Sequence, residues 1–255
     1  MLVRVKHLYI LGSLCLSFHL PVMFALDSGI NVSSDAKAFY LTSLMYQKGR
    51  QKLPKDVQLA HHYLVLASQS GYRDAQVQLG LDYLNTSKPS HNEVEARYWL
   101  EKASQQGDAL AQFTLAMLYQ EGRGGNTRLR EAITLLQASA KQGYLPAYTA
   151  LGMSYASGKG VSPDLRQAFR YYKFAASHGQ KVAQFKLGLM HQTGLGTSRD
   201  AVQGLAWLML AEDGGFRKAK PFREKLEAQS STEATQKARA LKTTLTPSRS
   251  KYRKL

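Results

Sequence analysis

The chain has 255 residues, 44% of them hydrophobic, which excludes wholesale disorder and leaves room for one large domain or a repeat array. Its single cysteine, Cys15, excludes an intrachain disulfide and a cysteine metal site. The formal net charge is +16, with twelve basic and three acidic residues from Arg217 onward, so the positive field is expected mainly at the C-terminus.

In chain order, the first element is a leader. Arg4 and Lys6 precede an apolar run from Leu8 to Ala25 whose one ionisable side chain of the acidic or basic kind is His19. This is the pattern of a secretory signal peptide over residues 1–25, with Pro21 breaking the helix before cleavage after Ala25. Met23 is bulkier than the usual small residue near such a site. An uncleaved inner-membrane anchor is the alternative, since about 18 apolar residues just span a bilayer. Gly12, Ser13, Ser17, His19 and Pro21 interrupt the run and favour cleavage. Leu14 stands where a lipid-attachment box before Cys15 would need a small residue. Cleavage would leave no thiol in the mature chain. Residues 26–35 form a short linker.

A repeat then takes over. Gly71, Gly107, Gly143, Gly179 and Gly215 lie 36 residues apart, and Ala75, Ala111, Ala147, Ala183 and Ala219 follow four positions later. Leu79, Leu115, Leu151 and Leu187 come next, each followed by Gly80, Ala116, Gly152 or Gly188, and then by Tyr83, Tyr119, Tyr155 and His191. Ala60, Ala96, Ala132 and Ala168 recur later in the unit, as do Tyr63, Trp99, Tyr171 and Trp207, and Ala67, Ala103, Ala175 and Ala211.

Each unit is expected to form two helices. In the first, Ala, Leu, a small residue and Tyr at offsets 0, 4, 5 and 8 share one face of a 3.6-residue helix. The glycine pairs 122/124, 158/160 and 194/196 are expected to end it. The second helix opens at Asp56, Asn92, Asp164 or Asp200 as a polar cap and closes at the repeat glycine. The recurring aromatics are expected in the core.

The run from Ala147 to Asp164, continuing through Ala168, Tyr171–Tyr172, Ala175–Ala176 and Gly179, resembles a Sel-one-like repeat (SLR), a relative of the tetratricopeptide repeats. The resemblance covers about residues 36–219 as five units. It implies an all-α, right-handed α/α solenoid. In the unit at Ala111, Leu135 replaces the aromatic. The unit at Ala75 lacks both loop glycines between Asn85 and His91, so its loop is expected to differ in shape. The first unit is shifted by one residue at Tyr46 and Gly49. After Ala219, residues 220–245 read as C-terminal capping helices, one over Pro221 to Gln229 and one opened by a Ser230–Glu233 capping box. Residues 246–255, with Pro247 and four basic side chains, read as a basic disordered tail.

No residue pattern supplies catalysis. Gly158-Lys159-Gly160 lacks phosphate-loop spacing, and Gly152-Met153-Ser154-Tyr155-Ala156 resembles a nucleophile elbow but lies inside a helix. His61, His62, His91, His178 and His191 form no ligand-spaced pair, and Asp56, Asp164 and Asp200 read as caps. No catalytic residue, metal or cofactor is expected. Some cysteine-rich relatives have been described as hydrolases, an analogy that the missing cysteines weaken.

The resemblance implies a scaffold. Exported bacterial proteins similar to this serve as adaptors in envelope assemblies, so the expected partner is an envelope or secreted protein and the expected compartment the periplasm. In such a solenoid the first helices usually line the concave side, and offsets 3, 7 and 10 would display Gln78, Asp82, Asn85, Thr114, Glu121, Ser154, Ser157 and Lys186. The same positions also read as plainly solvated. A second reading gives the work to the basic C-terminus: Lys237, Arg239, Lys242, Arg249, Lys251, Arg253 and Lys254 would dock on an anionic membrane surface, lipopolysaccharide or an acidic partner. Nucleic acid is not expected. A secreted or endoplasmic-reticulum protein, glycosylated at Asn31-Val32-Ser33, is the third reading.

Overall fold

The computed structural model describes residues 32–49, 54–87 and 91–245. The leader, Asn31 and the tail with Arg249, Lys251, Arg253 and Lys254 lie outside them. Every regular element among the described residues is helical, in the all-α repeat-solenoid class expected. The helices are α1 (Val32–Lys48), α2 (Val57–Gln69), α3 (Arg73–Leu84), α4 (Glu93–Gln105), α5 (Ala109–Glu121) and α6 (Leu129–Lys141). They continue as α7 (Leu145–Ser157), α8 (Leu165–Ser177), α9 (Lys181–Thr193) and α10 (Ala201–Asp213). A 3-10 turn (Arg217–Ala219) leads to α11 (Lys220–Ala228) and α12 (Thr232–Leu245). Packing divides the chain into two units, residues 1–75 and 76–255. In the first, α1 packs on α2, and Tyr46 stacks on Tyr63 at 5.8 Å between centroids.

The caps form as their residue types require. Asp56, Asn92 and Asp164 each accept from the backbone N–H groups of N2 and N3, and Asp200 from that of Gln203. At the other end of α2 the Gly71 N–H donates to Ser68 O and the Tyr72 N–H to Ala67 O, a Schellman closure made possible by φ +84° at Gly71. The cap of α12 is Ser231, whose Oγ accepts from the Ala234 N–H at 3.1 Å, one residue later than expected. Ser230 instead donates to Leu226 O at the end of α11, which it reaches because it still follows the helical turn.

A further bond ties each pair of helices. The N–H of the second helix's cap residue donates to the carbonyl of the repeat tyrosine: Asn92 to Tyr83, Arg128 to Tyr119, Asp164 to Tyr155 and Asp200 to His191, each nine residues apart. In the first unit Asp56 donates to Tyr46, ten apart, which accounts for its shifted register. The glycine-free loop after α3 keeps this bond. It turns through Asn85, whose Oδ1 accepts from the Ser87 N–H at 3.0 Å.

The repeat alanines and leucines make the core. Ala75, Ala111, Ala147 and Ala183 are fully buried, as are Leu79, Leu187 and nearly so Leu115 and Leu151. Burying each leucine contributes about 1.5–3 kcal/mol. Small residues one place later allow close approach: a Cβ on Gly152 would lie 2.7 Å from the Tyr172 ring, and one on Gly188 2.8 Å from Leu208 Cγ. The core continues into the C-terminal helices, where Leu226 and Ala238 pack against Leu205 and Leu208 of α10. Of the recurring aromatics, Trp99 and Trp207 are buried, but Tyr63 and Tyr171 are only half-buried.

The two loop glycines do different jobs. Gly122, Gly158 and Gly194 end their helices in the left-handed region, as expected. Gly124, Gly160 and Gly196 are not terminators. A Cβ there would lie 2.2, 2.5 and 2.3 Å from the carbonyl oxygens of Glu93, Leu129 and Leu165, each the first residue of the preceding unit's second helix. These glycines let consecutive units meet backbone to backbone.

Candidate functional site

The predicted first-helix face separates into three rows. At offset 10, Asn85, Glu121 and Ser157 are exposed. At offset 3, Gln78, Thr114 and Lys186 are half-buried. Thr114 and Ser157 donate their hydroxyls to carbonyls of their own helices, Leu110 and Met153. At offset 7 the expectation fails. Ser154 is 3% exposed and accepts from Gln120 Nε2 at 3.0 Å, because this row faces the neighbouring first helix. Leu118 and Met190, at the same offset, are buried too, and Asp82 is half-buried against Gln78, whose Nε2 donates to it at 2.9 Å.

The three expected docking cations that lie among the described residues are paired. Lys237 contacts Glu233 at 2.7 Å, Arg239 contacts Glu227 at 3.0 Å, and Lys242 contacts Asp213 at 2.8 Å. Such exposed pairs contribute little stability but leave less free charge for docking.

Two side-chain constellations stand out in the unit from Gln76 onward. Around Tyr119, the Arg97 guanidinium lies 4.3 Å from the ring centroid and that of Arg128 5.2 Å from it. The phenol donates to Glu101 Oε1 at 2.8 Å, while Arg97 Nε also donates to Glu101 and Nη1 to Asn126 O. Arg97 is 8% exposed and Gly125 makes room for it, since a Cβ there would lie 2.7 Å from Nη1. Burial, then the bond to Glu101, pushes the Tyr119 phenol above its ordinary range, against the pull of the two guanidiniums. A cleft of about 390 Å³ beside it is lined by Glu101, Ser104, Tyr119, Arg128 and Glu131. Glu101 and Arg128 both bond to the Tyr119 phenol and Arg97 packs on its ring, so the network joins α4, α5 and the cap of α6.

The second constellation lies on α7 and α8. Five rings follow one another: His178 to Phe174 at 4.4 Å, Phe174 to Tyr148 at 4.2 Å, Tyr148 to Tyr171 at 6.3 Å, and Tyr171 to Tyr155 at 5.4 Å. None of the five is buried, and Phe174 is 40% exposed. Burial, then the neighbouring phenols, pushes the Tyr171 phenol up, so it stays neutral and can stack or donate. Tyr148 occupies the position of Gln76, Gln112 and Gln184 in other units. Gln112 and Gln184 reach the last-turn carbonyls of Ser104 and Ala176, and Gln76 and Gln112 accept from Gln106 and Gln142. In this unit that glutamine bond is replaced by aromatic stacking. Tyr155 also lines an open groove of about 790 Å³ with Val161, Pro163, Leu165, Arg166 and Gln167.

Sequence reasoning placed neither constellation. The signal for the second is present in the local charge. Residues 145–199 alone hold seven basic residues and one acid, Asp164, whose carboxylate is occupied as the α8 cap.

The profile of the Sel1 repeat family matches residues 36–72, 73–108, 109–144, 145–180 and 181–216. The chain belongs to the Sel1 repeat family. Proteins of this family are generally protein-interaction scaffolds and generally non-catalytic. Among solved structures, a Sel1 repeat protein from Oxalobacter formigenes matches with 28% identity and a TM-score of 0.67, over 77% of this chain and 80% of that one. A protective antigen of uropathogenic Escherichia coli strains with an SLR fold matches with 26% identity and a TM-score of 0.73. That match covers 83% of this chain and 47% of the antigen. No curated protein matches at a significant level. Among the described residues of this Sel1 repeat chain, no helix is long and apolar enough to cross a membrane, and no three His, Cys, Asp or Glu side chains cluster as a metal site.

Proposed function

We propose that this Sel1 repeat protein is an exported adaptor of the bacterial cell envelope, binding a partner protein on its repeat surface without catalysis. The observation that carries the binding reading is the part-exposed ring ladder on α7 and α8. Stacked rings with free faces offer large contact area at low entropic cost, the usual composition of an interaction hot spot. Export is supported by the leader pattern from Arg4 to Ala25. These polar side chains serve the architecture: Asp56, Asn92, Asp164 and Asp200 cap helices, and Glu101 binds Arg97 and Tyr119.

Crosslinking capture from intact cells tests this reading, with the full chain and a version ending after Leu245. Recovery of the same discrete envelope protein by both supports the adaptor. Recovery lost with the tail, or only of lipid and polyanion, replaces it with a basic module docking on anionic lipid or polysaccharide.

A further inference from the structure

The ring ladder has a charged border. On α8, Arg166, Arg170 and Lys173 follow at i, i+4 and i+7 and therefore share one face of the helix. All three are exposed, and none makes an ion pair among the described residues. Tyr171, Phe174 and His178 form the adjoining row of the same helix, so cations and rings run side by side. Arg166 of the cation row and Tyr155 of α7, which stacks on Tyr171, line the same groove.

The corresponding face of α4 differs. Val94, Tyr98 and Glu101 stand where α8 has Arg166, Arg170 and Lys173, and Glu101 is engaged by Arg97. The charge on α8 is therefore not required by the repeat. The acid that caps α8, Asp164, already accepts from the Arg166 and Gln167 N–H groups.

We infer that the α7–α8 face binds an acidic polypeptide segment carrying aromatic side chains. Carboxylates on the segment meet Arg166, Arg170 and Lys173, and its rings extend the stack at Phe174 and Tyr148. Guanidiniums suit carboxylates because they offer paired donors, and three unpaired cations on one helix face steer an acidic chain into register. A groove beside half-buried rings admits side chains, whereas a flat bilayer surface would meet the cations and leave the groove empty. The inference rests on the adaptor reading and names the chemistry of its partner.

The test uses the full chain and a fluorescein-labelled random copolymer of Glu and Tyr, with poly-Glu and phosphatidylglycerol vesicles for comparison. Anisotropy should report saturable binding of the copolymer, tighter than that of poly-Glu. The triple reversal R166E/R170E/K173E should weaken it at least ten-fold, and Phe174→Ala should remove the advantage over poly-Glu. K237E/R239E/K242E should leave it unchanged. Unaltered thermal melting of R166E/R170E/K173E and Phe174→Ala, whose mutated side chains are exposed, separates loss of binding from loss of fold. No copolymer binding, equal binding by the triple reversal, loss through K237E/R239E/K242E, or vesicle binding in place of peptide binding overturns the inference. If the triple reversal still captures the discrete cellular partner, the adaptor stands and this face is not its docking site.

Discussion

The stretch from α4 to α6 and the stretch from α7 to α9 are built on one backbone plan but differ in their charges. In the first, Arg97, Glu101, Tyr119 and Arg128 close on one another, and Arg123 contacts Glu93 at 2.7 Å. In the second, the cations of α8 point outward and rings occupy the seam. The difference teaches that the repeat constrains its buried alanines, leucines and glycines and leaves the outer positions free. One unit uses that freedom to lock its neighbours together, and the next leaves it open to solvent.

If the two stretches do share one scaffold, equal damage to it must cost equally. Gly124→Ala and Gly160→Ala each put a Cβ within 2.5 Å of a carbonyl oxygen, at φ of +67° and +82°. Backbone strain and overpacking together should destabilise each by about 3 kcal/mol. Gly143→Ala, at φ +85° with nothing within 4 Å, should cost only about 1 kcal/mol of strain. Urea unfolding of the three variants checks the order. Unequal costs at 124 and 160 would mean that the two junctions are not equivalent.

The outer positions should then separate sharply. Arg97→Ala removes a nearly buried guanidinium from Tyr119, Glu101 and Asn126, and should cost about 2 kcal/mol. Arg170→Ala, on the open face of α8, should stay within about 0.5 kcal/mol. The same urea measurement compares them, and a large loss at Arg170 would make the α8 face structural.

These contrasts also mark what could be read before the structure. The 36-residue spacing, the Asp and Asn caps and the turn glycines depend on local backbone geometry, and local geometry repeats with the sequence. Gly124 could not be understood that way, because its reason is the Glu93 carbonyl, 31 residues earlier and in another unit. Ser154 was misplaced because a helical wheel shows one helix, whereas its burial comes from Gln120 on the next. Arg97 reads as one more surface charge until Asn126 and Tyr119 fold over it. The candidate site is half legible: Tyr171 reads as a repeat aromatic and the cation row follows from helical spacing on α8, but the stack of Tyr171 on Tyr155 needs the helix pair.

The smallest expected effect compares one repeat position across the two stretches. Tyr119 there binds Glu101, while His191 packs its ring edge against Phe169 at 5.4 Å and leaves Nδ1 buried without a partner. Burial lowers the His191 pKa below its ordinary value of 6.5, with Lys173 pushing the same way and Asp200 opposing. The folded state therefore holds the imidazole neutral, and the unfolded chain takes up its proton first as pH falls. Stability from this residue is full above pH 6.5 and declines as pH drops through the lowered folded pKa. His191→Tyr restores the side chain of the other units and removes the titration. Urea midpoints between pH 7.5 and pH 5 should fall further for the natural protein than for the variant. Parallel curves would show that His191 is as indifferent to pH as the tyrosine it replaces.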